Sequence, residues 1–145
     1  MAGTSPIGTE LQSLQKELGI LSLIIAKRNQ TPLDEIEIRG AALSLAALYN
    51  GMERILKQIL IDRNEAVTDG PNWHSVLLQK SRTLQIIGES TLQDMKGFMS
   101  FRHFVRHAYS FEINPEAINA ILDAAQELVE RFTKEIKESL RSENQ

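Results

Sequence analysis

The sequence predicts an all-α fold, an up-and-down bundle of four to five helices. Three observations lead there: apolar residues recur at helical spacing along nearly the whole chain, no segment alternates with the period of two of a half-buried strand, and capping residues stand just ahead of the apolar runs. Parallel-sheet folds are excluded. At 145 residues, 42% hydrophobic and 24% charged, the chain suits one domain over residues 1–145 with one core.

The first helix is expected from about Thr9 to Arg28, with Leu11, Leu14, Leu18, Leu21 and Ile25 on one stripe and "NQTP" closing it. The second runs from near Asp34 to about Ile61. Its small residues, Ala41, Ala42, Ala46, Ala47 and Gly51, admit a neighbouring helix closely, and its leucine and alanine stripe reads as core or dimer interface. The main loop is "RNEAVTDGPNWH", with Asp69, Gly70 and Pro71 as turn residues and Asn72 as N-cap of a shorter helix through about Arg82. Ser90 or Thr91 is expected to cap the next helix, with Asp94 completing a capping box from Thr91. The last helix begins at "NPEA", where Asn114 caps and Pro115 fits the first turn, and runs to about Leu140. Its stretch "LDAAQELVERFTKEIKESL" places opposite charges at i,i+4 and reads as a solvated bundle helix. Frayed or disordered ends are expected at about 1–8 and 141–145.

Composition excludes several classes of function. With no cysteine there are no disulfides, thiolate metal sites or cysteine nucleophile, and a cytoplasmic location is expected. No apolar stretch approaches the roughly 18 residues of a membrane span, and "MAGTSPIG" lacks the pattern of a signal peptide. Sixteen basic against nineteen acidic residues argue against broad affinity for nucleic acid. The basic charge is local, since Lys96, Arg102 and Arg106 fall between Met95 and Phe111 with no acid among them.

That region contains "FRHFVRHAY", Phe101 to Tyr109. Stepping a helical wheel by about 100° per residue puts Arg102, Arg106, His103 and His107 on one arc with Tyr109 at its edge. Phe98, Phe101, Phe104, Val105 and Ala108 fill the opposite arc, which is expected to enter the core. The polar arc suits phosphate chemistry: arginine offers a planar fork of donors to phosphate oxygens, and histidine exchanges a proton near neutrality. RNA carries its own nucleophile in the 2'-hydroxyl, so a base, an acid and an anion clamp suffice without metal.

"RHFVRH" is an Arg-x4-His motif and resembles the signature of the HEPN superfamily of all-α ribonucleases. The continuation to Tyr109 gives Arg-x4-His-x-Tyr, which is similar to the HepT-like toxins of toxin-antitoxin systems. "RGAALSLAALYNGMERIL", "WHSVLL" and "FRHFVRHAYSFEI" extend the resemblance, in matching order, over roughly residues 35 to 115. It implies a metal-independent endoribonuclease toxin acting on an RNA such as tRNA or mRNA, with Arg102 and His107 as the catalytic pair in a homodimer cleft. It also implies a nucleotidyltransferase (MNT-like) antitoxin that transfers AMP to Tyr109. The commoner motif has asparagine after the arginine, where this chain has His103, so His103 and Arg106 enter as supporting residues whose share in proton transfer and phosphate binding stays open.

The other readings are plainer. A noncatalytic HEPN module that binds a nucleotide or the nucleotidyltransferase, as scaffold or regulator, is the alternative function. His103 and His107 at i and i+4 are a seed of a metal site, but the stretch lacks the glutamate of a metalloprotease helix and Arg106 would repel a cation there; no metal and no cofactor are expected. His74, beside Trp73, reads as a helix N-terminal residue rather than a catalyst. Tyr49 and Glu53, one turn apart, could approach the site but read as packing or salt-bridge residues.

Overall fold

A computed structural model describes residues 5–67, 69–109 and 112–143. Among them there is no strand, and five helices follow in order: α1 (Pro6–Arg28), α2 (Glu35–Asp62), α3 (Trp73–Thr83), α4 (Glu89–His107) and α5 (Pro115–Glu143). The all-α bundle expected from the sequence is the fold observed.

Helix α1 begins a turn ahead of Thr9. Ser5 accepts the Gly8 N–H on its Oγ at 3.0 Å and Pro6 occupies the first turn, a cap and proline pair that starts the helix at once. Ile7 thereby joins the buried stripe. Residues 5–8 and 141–143 are thus described and, apart from the cap Ser5, helical, while the rest of the expected fraying, at 1–4 and 144–145, lies outside the described residues.

Helix α2 starts on a reciprocal cap: Asp34 Oδ1 accepts the Glu37 N–H and Glu37 Oε1 accepts the Asp34 N–H, both at 2.8 Å. It ends through Asn64, whose φ of 59° lets the Glu65 N–H turn back to the Leu60 carbonyl at 2.8 Å. Asparagine tolerates that left-handed backbone better than most residues. Helix α3 starts after Asn72 as expected, but the Asn72 side chain makes no capping bond. Helix α5 starts as expected, with Asn114 Oδ1 accepting the Glu116 N–H at 2.8 Å.

Helix α4 is capped differently from the expectation. Neither Ser90 nor Thr91 is its N-cap; the helix starts after Gly88, whose N–H donates to Glu135 Oε2 of α5 at 3.1 Å. Thr91 is fully buried and accepts from Arg131 Nε at 3.0 Å, and Asp94 pairs with the same guanidinium. A local capping pattern yielded here to groups brought in by a distant helix.

Helix α2 is the central post. It packs against all four other helices, and Leu45, Leu48, Met52, Ile55, Leu56, Ile59 and Leu60 bury their side chains almost completely. Lys27 with Glu37 at one end and Arg54 with Glu10 at the other make α1 antiparallel to α2. Midway, a β-carbon at Gly51 would fall 2.8 Å from Leu14 Cδ2, so the small residue permits the approach. Arg28 with Asp123 and Arg63 with Glu143 set α5 parallel to α2. Helix α5 is solvated on one face only: Ile118, Leu122, Ala125, Leu128, Val129, Phe132 and Ile136 form a buried stripe on the other.

Candidate functional site

The motif occupies the last two turns of α4, where the helix leaves the core. Phe98 and Phe101 are buried, but the buried stripe of α4 ends there. Phe104, expected in the core, is 45% exposed, and Val105 and Ala108 are only half-buried. Past Phe101, Val105 still packs against the edge of the core, whereas Phe104 is left largely uncovered. A large aromatic at the surface beside a polar site is the kind of feature that marks an interaction surface.

The polar arc is assembled as expected. Arg102 is half-buried, whereas His103, Arg106 and His107 are exposed. The rings of His103 and His107 stand 4.7 Å apart, tilted by 59°, as i,i+4 neighbours do. Arg28, Arg39, Arg54, Arg63, Arg82 and Arg131 each meet a carboxylate, yet among the described residues Arg102 and Arg106 form no ion pair or hydrogen bond. Two adjacent guanidiniums without a carboxylate leave their donors available to an external anion. Among the described residues no cluster of three metal-ligating side chains occurs.

Tyr109 is placed differently. Helix α4 ends at His107, and Ala108 turns extended at φ −97° and ψ 148°, so the wheel position given to Tyr109 does not apply. Its side chain is 72% exposed. The local turn is held by the Tyr109 N–H donating to Glu112 Oε1 at 2.7 Å and the Glu112 N–H donating to the Tyr109 carbonyl at 2.9 Å. Ser110 and Phe111 of the quoted motif lie outside the described residues.

Sequence reasoning undervalued a second polar group. Glu53 is 4% exposed, and its Oε2 lies 2.5 Å from Nδ1 of His74, the second residue of α3. Burying a carboxylate requires such a partner. The His74 ring stacks on Trp73 at 3.7 Å between centroids, and Lys57 Nζ sits 4.7 Å from the Trp73 ring. One turn before Glu53, Tyr49 is wholly buried, and among the described residues its hydroxyl makes no hydrogen bond of ordinary geometry despite the nearby carboxylate. Burial, and then Glu53, push the Tyr49 phenol well above the ordinary tyrosine value, with the nearby Arg102 acting in the opposite direction. Tyr49 therefore comes within reach of Arg102 on the motif helix, as the sequence allowed, while Glu53 takes the packing and pairing role read for it, against His74. Only the i,i+4 spacing of Tyr49 and Glu53 hinted at this; the His74 contact spans 21 residues.

The raised Tyr49 value sets a pH dependence. A group whose folded pKa lies above its unfolded one contributes stability that is intact below the unfolded value, about 10 for tyrosine, and is lost as pH rises past it. The wild-type protein is expected to lose stability above about pH 10 more steeply than Tyr49→Phe, by up to about 1.4 kcal/mol per pH unit. Denaturant melts of both proteins from pH 8 to 11 check this; parallel curves would remove the buried phenol as the cause.

Among the described residues no helix is long and apolar enough to cross a membrane. Neither curated proteins nor solved structures gave a match to the chain. A family model described as "HepT-like protein" matches residues 40–142, which takes in α2 from its second turn, all of α3 and α4, and nearly all of α5. On that match, spanning most of its length and including the whole arginine and histidine arc, the chain belongs to the HepT-like family of the HEPN superfamily.

Proposed function

We propose that the protein is the ribonuclease toxin of a toxin-antitoxin pair, a metal-independent endoribonuclease that works as a homodimer. The carrying observation is the pair Arg102 and Arg106, without carboxylate partners among the described residues and flanked by His103 and His107 on one arc. The HepT-like family is associated with ribonuclease toxins and generally with toxin-antitoxin pairs, which supports the same reading.

In this mechanism Arg102, with Arg106 beside it, holds the scissile phosphate and offsets the charge that grows on its oxygens. His107 exchanges the proton of the reacting 2'-hydroxyl or of the leaving oxygen. The RNA supplies the nucleophile, and a 2',3'-cyclic phosphate results. Exposed Phe104 supports an association of two motif helices, which would bring two copies of the arc to one cleft.

Regulation follows from Tyr109. An MNT-like nucleotidyltransferase would join the tyrosine oxygen to the α-phosphorus of a nucleoside triphosphate, with pyrophosphate leaving and the phenolic proton lost to a base. The exposed ring supports access to such an enzyme. The attached AMP would add bulk and negative charge next to the arginines and oppose the approach of RNA phosphate.

The test is cleavage of RNA by the purified protein in excess chelator, with the ends of the fragments identified. Fragments ending in 2',3'-cyclic phosphate are expected. No cleavage by a folded dimer, with nucleotide or nucleotidyltransferase binding retained, would replace this reading by that of a noncatalytic module.

A further inference from the structure

In-line transphosphorylation makes two demands that one helix face meets poorly. The 2'-oxygen bonds to phosphorus as its proton passes to a base, and the bond from phosphorus to the 5'-oxygen breaks as an acid returns a proton there. The entering and leaving oxygens lie on opposite sides of phosphorus. His103 and His107 have ring centroids 4.7 Å apart on the same side of one helix, so within one protomer a group opposite them has to come from another element.

Helix α3 offers one. His74 has its Nδ1 bound by a buried carboxylate, Glu53 Oε2, at 2.5 Å, while the side chain keeps 25% of its surface open. A carboxylate on Nδ1 fixes the ring and its tautomer and leaves Nε2 as the nitrogen that trades protons. No described residue bonds to that Nε2. The position is also suitable: α3 packs on both α2 and α4, and Tyr49, one turn from Glu53 on α2, lies within electrostatic reach of Arg102. Glu53 from α2 is the charged group against the His74 ring, Lys57 of α2 lies over the neighbouring Trp73, and Arg102 of α4 acts on Tyr49, one turn from Glu53.

We propose that His74, oriented by Glu53, is a second acid-base group of the RNA-cleaving site, working on the side of the phosphate opposite His107. This rests on the ribonuclease reading. Glu53 is then a positioning residue, since it acts through the imidazole.

The test uses His74→Asn, which keeps an N–H donor for Glu53 but cannot titrate near neutrality, together with Glu53→Gln and the double variant. His74→Asn is expected to lower kcat by about a hundredfold with little change in KM and to remove one limb of the pH-rate profile. Glu53→Gln should fall between wild type and His74→Asn, and the double variant should be no worse than His74→Asn. A purely structural pair would lower the melting temperature and leave kcat and both limbs unchanged, which overturns the proposal. Should His74→Asn fail to fold, nitrogen-15 spectra of the wild type decide: the Nδ1–H tautomer, with Nε2 shifting on addition of a 2'-deoxy oligonucleotide, is expected, and an unresponsive ring overturns it. A wild-type protein that cuts no RNA removes the ribonuclease reading itself. One that cuts RNA alongside an equally active His74→Asn removes only this inference.

Discussion

Arg102→Ala is expected to lower RNA cleavage by about a hundred- to a thousandfold, and His107→Ala by about a hundred- to ten-thousandfold, while both variants keep the wild-type helical content. The physical grounds lie in the packing. Among the described residues the Arg102 side chain takes part in no ion pair or hydrogen bond, and His107 is exposed, so neither removal opens the core. Arg102→Lys should recover little, because a point charge does not reproduce the planar fork on two phosphate oxygens. Joint removal of Arg102 and His107 should cost scarcely more than the worse single change, as is usual for groups acting on one transition state. Rates on a defined RNA, with circular dichroism as the control, check this; full cleavage by folded Arg102→Ala would sink the assignment.

The second large effect concerns control. Tyr109→Phe is expected to leave RNA cleavage within about twofold of wild type, because an exposed phenol outside the helix has no part in the proton transfers proposed above. The same variant should escape neutralisation. Co-expressed with the nucleotidyltransferase partner, wild-type protein should gain mass in whole adenylyl units and permit growth, whereas Tyr109→Phe should gain none and still arrest it. Intact mass spectrometry and plating report the two outcomes separately. An unmodified wild-type protein that is nonetheless neutralised would leave inhibition by binding alone.

What could be read in the sequence was what short-range physics determines. Asn114 gave a helix start as a cap, and the second helix was expected to start near Asp34, which the structure shows to be its cap; a cap is settled within three or four residues. The arc of Arg102, His103, Arg106 and His107 followed from helical geometry alone. The misses were long-range. Thr91 has the spacing of a cap, but Arg131 arrives from α5 to occupy its hydroxyl, and Glu135 accepts the N–H of Gly88, where the helix in fact starts. Phe104 has the periodicity of a core residue, but whether a neighbour waits for it depends on where the other helices end. His74 was read from its place at the start of α3, and only the fold put a buried carboxylate against its ring.

The ties between α4 and α5 have a mechanical meaning. The reactive side chains stand at the far end of α4, while the base of that helix is held by Glu135 on the Gly88 amide and by Arg131 on Thr91 and Asp94. Buried Leu92, Met95, Phe98 and Phe101 extend that hold along the helix, so the last turn of the motif stands on a fixed stem. The C-terminal helix, which contributes none of the reactive side chains, thereby fixes where the helix that bears them begins.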